Sequence, residues 1–340
     1  MKVLIIRFSS FGDVLQTLSV IGAIDRLDPQ AEIHFLTREE FAPLVESHPA
    51  VTRVWKLSRS QGFWGLHRLS RQLQQEPWSH VYDAHNNLRS HVVSFYLNGF
   101  FGWRRWFWKR HAFVRRSIHR WKRFCLFRLR KNFFELPFSG QRDLLRPLKV
   151  WGVSEELPKA PQLFLPEKQN HDVGDILEGR GLRRGDFVAL APSAAHPLKR
   201  WPLERWKELI RKIPEEKFAV LGGPKDDFLK ELSEESPNRV FNFSGELTLP
   251  QSAALIGQSK ALIANDTGLL HVAEQMGHPC VALMGPAPFG FPSRSTTRVL
   301  ERKLWCRPCS KHGQGPCINP EFQKCLRDIS VTEVREALFA

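Results

Sequence analysis

The chain reads as an α/β protein built in two halves, and three observations carry that reading. Short apolar runs of strand length alternate with helical patterns in both halves of the 340 residues. A stretch punctuated by Pro158, Pro161 and Pro166 separates the two alternations. Near the end, residues 261–284 pass from strand to tight turn to helix to buried strand, which is a βαβ unit. The length suits two ordinary domains. The expected boundaries are therefore 1–157, a linker at 158–166, 167–330, and a terminal helix at 331–340.

In the first half, residues 2–7 form an apolar, β-rich run. A turn of small residues follows, and then a helix to about Leu27, closed by Asp28 and Pro29. Asp13 lies beside that helix start, where a carboxylate serves either as a cap or as a general base. Residues 31–36 and 51–57 are strands, and 40–46 is helical. Residues 65–75 are a helix with Leu66, Leu69 and Leu73 on one face. Residues 78–83 lead into a polar turn from His85 to His91. Polar residues at the carboxyl end of a strand line the ligand crevice of an open parallel sheet. That placement nominates His85, Asn86, Asn87 and Arg89.

The second half opens with a strand at 187–191 and a loop containing Ser193, Lys199, Trp201 and Pro202. Helix 203–213 and strand 218–221 follow, then Gly222, Gly223, Asp226 and Asp227. Strand 240–243 and helix 249–257 lead to strand 261–264. The turn Asn265-Asp266-Thr267-Gly268 then opens a helix that Gly277, His278 and Pro279 end. Such a helix start offers unpaired N–H groups and a positive dipole end, and Gly268 leaves room for an anion. Asp266 or Thr267 can cap it, and His271 projects from its first turn. A plain capped turn that binds nothing is the alternative. Strand 280–284 follows, and the helix at 331–339 is long enough to pack across a partner domain.

Composition is that of a folded protein, with no apolar run of the roughly 18–20 residues that span a bilayer. Arg7 and Asp13 interrupt any signal-peptide core, so a cytoplasmic location is expected. Cys306, Cys309, Cys317 and Cys325 follow the spacing Cys-x₂-Cys-x₇-Cys-x₇-Cys. Tetrahedral zinc needs four such ligands, but paired short spacings are commoner, which favours a thiol-rich structural loop. The net charge is +15, and residues 103–131 hold twelve Lys or Arg with no Asp or Glu. Val114, Ile118, Trp121, Cys125 and Leu129 recur at spacings of three to four there. An amphipathic, arginine-rich helix with interleaved aromatics is expected, facing a polyanion or a membrane.

Three ordered blocks carry a resemblance: Ser9-Ser10-x-Gly12-Asp13-Val14-Leu15, Lys199-x-Trp201-Pro202 and Asp266-Thr267-Gly268-x-x-His271. With Gly285-Pro286 and the cysteine region, they make nearly the whole chain resemble the heptosyltransferase-type glycosyltransferases, family 9. These add L-glycero-D-manno-heptose to the lipopolysaccharide inner core. The resemblance implies the GT-B arrangement, two Rossmann-like domains facing across a cleft, acceptor in the first and nucleotide sugar in the second. It implies Asp13 as general base in an inverting transfer and Lys199 at the donor diphosphate. Asp266, Thr267, Gly268 and Leu269 form the donor turn, with His271 on a phosphate or bracing the turn. Asp226, or Asp227 one place on, falls on the ribose, and Leu247 or Thr248 meets the adenine. Ser193 is a phosphate contact, although Ala194, Ala195 and Pro197 depart from the family's usual Thr or Ser there. Ser9, Ser10, Gly12, Asn86, Arg89, Arg115, Arg116 and Arg120 are the acceptor candidates. The implied partners are ADP-heptose, a Kdo-lipid A or inner-core acceptor, and the inner-leaflet surface. No metal, cofactor or nucleic acid is expected, and the chain is taken as a monomer, peripheral at the inner membrane. The rival readings are a family member with a different nucleotide sugar or acceptor, and a non-catalytic basic RNA- or membrane-binding protein on a degenerate Rossmann pair.

Overall fold

The computed structural model describes residues 1–98 and 112–340. The part of the basic stretch at 103–111 lies outside the described residues. The chain divides into two compact units, Met1–His119 with Gln141–Phe164, and Arg120–Gly140 with Leu165–Ala340. The passage from one to the other at 164–165 falls inside the expected linker.

The first unit holds a wholly parallel sheet of β1 (Lys2–Ile6), β2 (Glu32–Arg38), β3 (Val51–Leu57), β4 (His80–Asp83) and β5 (Ala112–Arg115). Their order is β3-β2-β1-β4-β5. Leu66, Leu69 and Leu73 of helix Gly62–Gln75 pack with Val93 and Leu97 of helix Leu88–Asn98 onto Leu4, Ile6, Leu36 and Trp55. Each such side chain contributes about 1.5–3 kcal/mol by leaving water. That apolar stripe fixes both helices on one face of the sheet.

Two expectations fail here for physical reasons. The polar turn is shorter than it reads, because a helix begins at Leu88. Asn87 and Ser90 exchange side-chain-to-backbone bonds, the Ser90 N–H donating to Asn87 Oδ1 at 3.0 Å and the Asn87 N–H to Ser90 Oγ at 3.0 Å. This is a reciprocal cap closed by Ser where Glu or Gln is the usual signal. The arginine-rich helix expected through Val114 and Ile118 is instead strand β5 followed by helix Arg120–Arg128. Periodicity within the segment does not register pairing with β4, which turns Ala112–Arg115 into a sheet edge.

The second unit is also parallel: β6 (Phe187–Ala191), β7 (Lys217–Val220), β8 (Val240–Asn242), β9 (Leu262–Asn265), β10 (Cys280–Met284) and β11 (Thr297–Glu301). The order β11-β10-β9-β6-β7-β8 is the doubly wound Rossmann order. Segment Arg120–Gly140, expected in the first domain, belongs to this unit. Phe127, Phe134 and Phe138 set their rings 6.2, 5.3 and 5.1 Å from that of Phe289, and Arg130 donates to the Pro308 carbonyl at 2.8 Å. Helix Val331–Phe339, expected to reach a partner domain, buries Val331 and Val334 in its own unit's core beside Trp201 and Trp206. The cysteines are free thiols with structural partners. Asn319 Nδ2 donates to Cys306 Sγ at 3.3 Å, and the Gln323 N–H to Cys317 Sγ at 3.3 Å. No helix among the described residues is long and apolar enough to cross a membrane.

Candidate functional site

In an open parallel sheet, ligands bind outside the carboxyl ends of the strands where the winding reverses. The first sheet reverses between β1 and β4, and the second between β6 and β9. The loops leaving those four strands carry Arg7–Asp13, Ala84–Asn87, Pro192–Lys199 and Asp266–Gly268. Topology and motif therefore nominate the same residues.

In the first unit, Ser10 caps helix Phe11–Leu27, and Asp13 closes back on it. The Ser10 N–H and Oγ–H donate to Asp13 Oδ2 at 3.3 and 2.8 Å. Asp13 thus holds the capping role and remains open to a catalytic one, with its side chain 41% exposed. Sequence reasoning missed its main partner. The guanidinium of Arg7, 6% exposed, lies 2.7 Å from Asp13 Oδ2 and donates to the Ala84 carbonyl at 2.5 Å. Desolvation by the packed protein beneath would raise the Asp13 carboxyl, but the charges of Arg7 and Arg116 and the Ser10 donors override it. Asp13 is held well below the usual carboxylate range. The signal for Arg7 was a charged residue at the end of an otherwise apolar strand.

His85 contributes a neutral donor. The Phe8 N–H donates to its Nδ1 at 3.0 Å, which places the ring proton on Nε2. Burial, and then the charge of Arg7, lowers its pKa to about 4. The loop is organised by Asp83, fully buried, which accepts from the N–H groups of His85 and Asn86, from Ser90 Oγ and from Arg115 Nε. Arg116 binds Asp143 through Nε and a terminal nitrogen at 3.0 and 2.8 Å, and His119 contacts the other oxygen. The basic stretch thus finds counter-charges from elsewhere in the chain. Asn86, at φ 57°, donates from Nδ2 to the Arg116 carbonyl, whereas Arg89 is exposed. Arg120 opens an exposed helix turn of the second unit.

In the second unit, Lys199 Nζ lies 2.7 Å from Asp266 Oδ2, and both side chains are largely buried. Asn265, fully buried, fixes the loops of β6 and β9 together: Oδ1 accepts the Trp201 N–H at 3.0 Å, and Nδ2 donates to the Pro192 carbonyl at 2.6 Å. Trp201 is the anchor of the Lys199-x-Trp201 block, its indole N–H donating to the Ile329 carbonyl at 3.2 Å. Neither expected cap of helix Gly268–Met276 forms. Thr267 occupies the cap position without a side-chain bond, and Asp266 is engaged by Lys199. The first-turn N–H groups of Gly268 and Leu269 lack a side-chain cap beside a lysine, the arrangement that receives an anion.

His271 Nδ1 is 2.9 Å from Glu274 Oε2, both buried, while Glu274 also accepts from the Ser293 and Arg294 N–H groups. Asp226 accepts the Gly223 N–H at 2.7 Å and lies 3.6 Å from Arg200, which donates to the Ala194 carbonyl on the β6 loop. Asp227 pairs with Lys230 in solvent. Ser193 is half-buried on the β6 loop, and its hydroxyl has no hydrogen-bond partner among the described residues. Leu247 is half-buried ahead of Thr248, whose side chain caps helix Leu249–Gln258. Gly290 presses on Asp266 so closely that a Cβ there would fall 1.9 Å from Oδ1.

Comparisons with known proteins bear on the family and the fold. Residues 66–316 match the model of glycosyltransferase family 9 (heptosyltransferase). Lipopolysaccharide heptosyltransferase 2 of Salmonella typhimurium is 27% identical over 324 residues, covering 88% of each chain. The fold is shared with a glycosyl transferase family 9 structure from Veillonella parvula, at TM-score 0.78 and 20% identity over 99% of this chain and 95% of that one. It is also shared with E. coli ADP-heptose lps heptosyltransferase II, at TM-score 0.68 and 22% identity over 100% and 98%. With its two parallel sheets in GT-B form and the blocks at Asp13, Lys199 and Asp266 in place, this chain belongs to glycosyltransferase family 9, the heptosyltransferases.

Proposed function

We propose that the protein is an inverting transferase that moves L-glycero-D-manno-heptose from ADP-heptose to the Kdo/heptose inner core of lipopolysaccharide. The observation that carries this reading is the Lys199–Asp266 pair at 2.7 Å beside an uncapped helix start. Asp13 takes the proton from the acceptor hydroxyl, whose oxygen attacks the anomeric carbon as the bond to the diphosphate breaks. Attack from the face opposite the leaving group inverts the configuration. Negative charge grows on the departing ADP and is stabilised by the Lys199 ammonium and the N–H groups of Gly268 and Leu269. Lys199 then exchanges Asp266 for phosphate oxygen. Asp226 takes the ribose, Leu247 the adenine edge, and Ser193 a phosphate.

Ser9, Ser10, Gly12, Asn86 and Arg89 surround the acceptor hydroxyl, with Arg115 and Arg116 supplying positive potential toward an acidic sugar. The protein works as a monomer in the cytoplasm, peripheral at the inner membrane, and no step is routed through a metal. Thermal unfolding with ADP, ADP-heptose, GDP and UDP tests the donor site. A ligand at a hundredfold its Kd stabilises by about 2.7 kcal/mol. ADP and ADP-heptose should raise Tm in the wild type and not in Lys199→Ala. Equal stabilisation by UDP would overturn the donor assignment.

A further inference from the structure

The first unit carries an exposed aromatic and cationic face that none of this chemistry uses. On helix Gly62–Gln75, Phe63 and Trp64 are 65% and 76% exposed; on helix Leu88–Asn98, Phe95 is 46% exposed. Their rings belong to one chain of contacts that crosses both helices. Phe63 meets Trp64 at 6.2 Å, Trp64 meets His67 at 6.2 Å, His67 meets Tyr96 at 5.4 Å, and Tyr96 meets Phe95 at 6.0 Å. A hydrogen bond of 2.5 Å between His67 Nδ1 and the Tyr96 hydroxyl locks the crossing point. The inner faces of both helices pack on the sheet in one apolar cluster, so these rings lie on the outer side of a single layer.

Charge sharpens the reading. Arg68 and Arg71 are exposed one and two turns beyond Trp64 and line an open groove with it and His67. Neither helix contains a single Asp or Glu. Aromatic rings at the surface gain most where one edge is apolar and the other wet, and arginines gain where the partner is anionic. A folded protein partner would meet the rings through its own apolar patch and the arginines through acidic side chains. A bilayer offers both properties at every point of its surface, without a complementary shape.

We propose that this two-helix face, centred on Trp64, His67 and Tyr96, is where the protein lies on an anionic bilayer. The proposal deepens the peripheral-membrane element of the functional reading and depends on neither donor nor acceptor identity. The test is co-sedimentation of the full chain with vesicles of phosphatidylcholine alone or mixed with phosphatidylglycerol. Two exposed-residue variants are compared: Phe63→Ser with Trp64→Ser and Phe95→Ser, and Arg68→Gln with Arg71→Gln. Binding should require phosphatidylglycerol. The arginine pair should weaken it about 25-fold, at about fivefold per neutralised charge, and the aromatic triple by at least about tenfold. Transfer to a water-soluble, deacylated acceptor should be unchanged in both, because the substituted side chains are exposed and lie outside the residues assigned to donor and acceptor. Vesicle binding equal to wild type in both variants would overturn the proposal. So would RNA binding that both variants lose while vesicle binding persists. Failure of the wild type to glycosylate the soluble acceptor would count against the functional reading and leave the docking face standing.

Discussion

Asp13 is held as a carboxylate by a guanidinium 2.7 Å away, an arrangement that keeps it charged at the expense of proton affinity. Because its folded pKa lies below the unfolded value near 4, its contribution to stability is full above about pH 4 and is lost as pH falls further. Arg7→Met should raise the Asp13 pKa toward the ordinary range and shift the acid limb of the pH–rate profile upward. It should cost about 1.5–3 kcal/mol in urea unfolding, the range for hydrogen bonds to charged groups. An unmoved acid limb would show that Arg7 does not set the charge of Asp13. Asp13, Lys199 and the Asp266–Gly268 turn stood out in the sequence because each lies in a short local block. Arg7, Asp83 and Asp143 were not, since their partners are brought to them only by the sheet.

Two loops set the donor turn, and each has a residue whose size matters. Gly290 leaves no room for a methyl group against Asp266. Gly290→Ala must move the loop or the carboxylate, at about 1–3 kcal/mol for an overpacked contact. Its expected signature in calorimetry is weaker ADP binding, by tenfold or more, on a protein that still unfolds cooperatively. Binding of ADP at wild-type strength would detach this loop from the donor site. Trp201, 1% exposed, ties the Lys199 loop to the core. Trp201→Ala should cost about 3–5 kcal/mol, and Trp201→Phe about 1 kcal/mol through the lost indole bond; equal losses in thermal melts would contradict that division. Strands 187–191 and 280–284 and helix 331–339 were read to the residue, because a continuous apolar run or a capped period marks each, and strand 51–57 was too, its β-branched and aromatic residues interrupted by Arg53 and Lys56. Strand β5 and helix Leu88–Asn98 escaped: sheet pairing decided the first, and a Ser-closed cap began the second.

The two sheets were legible as a fold class from alternation alone, and the strand orders then put the candidate loops at the points where the winding reverses. What alternation did not reveal was ownership, since segment Arg120–Gly140 and the terminal helix both belong to the second unit. The units also differ in how they meet acid. Burial is the leading cause that lowers the pKa values of His34, His48, His80 and His85 in the first unit, and of His278 in the second. Where folded values lie below about 6.5, the unfolded chain binds more protons, so stability falls as pH drops from about 6.5 toward 4. Hydrogen exchange across that window should open β1 to β4 before β6 to β10, and the reverse order would refute the assignment.

The central claim concerns chemistry at Asp13, Lys199 and Asp266, and product mass tests it most directly. Wild type and Asp13→Asn would be offered ADP-, GDP- and UDP-linked sugars with truncated lipopolysaccharide acceptors. The predicted result is a single heptose added from ADP-heptose by the wild type, and a rate lower by about 10²–10⁴ in Asp13→Asn. Transfer from another nucleotide sugar in preference, or an Asp13→Asn variant as fast as wild type, would contradict it.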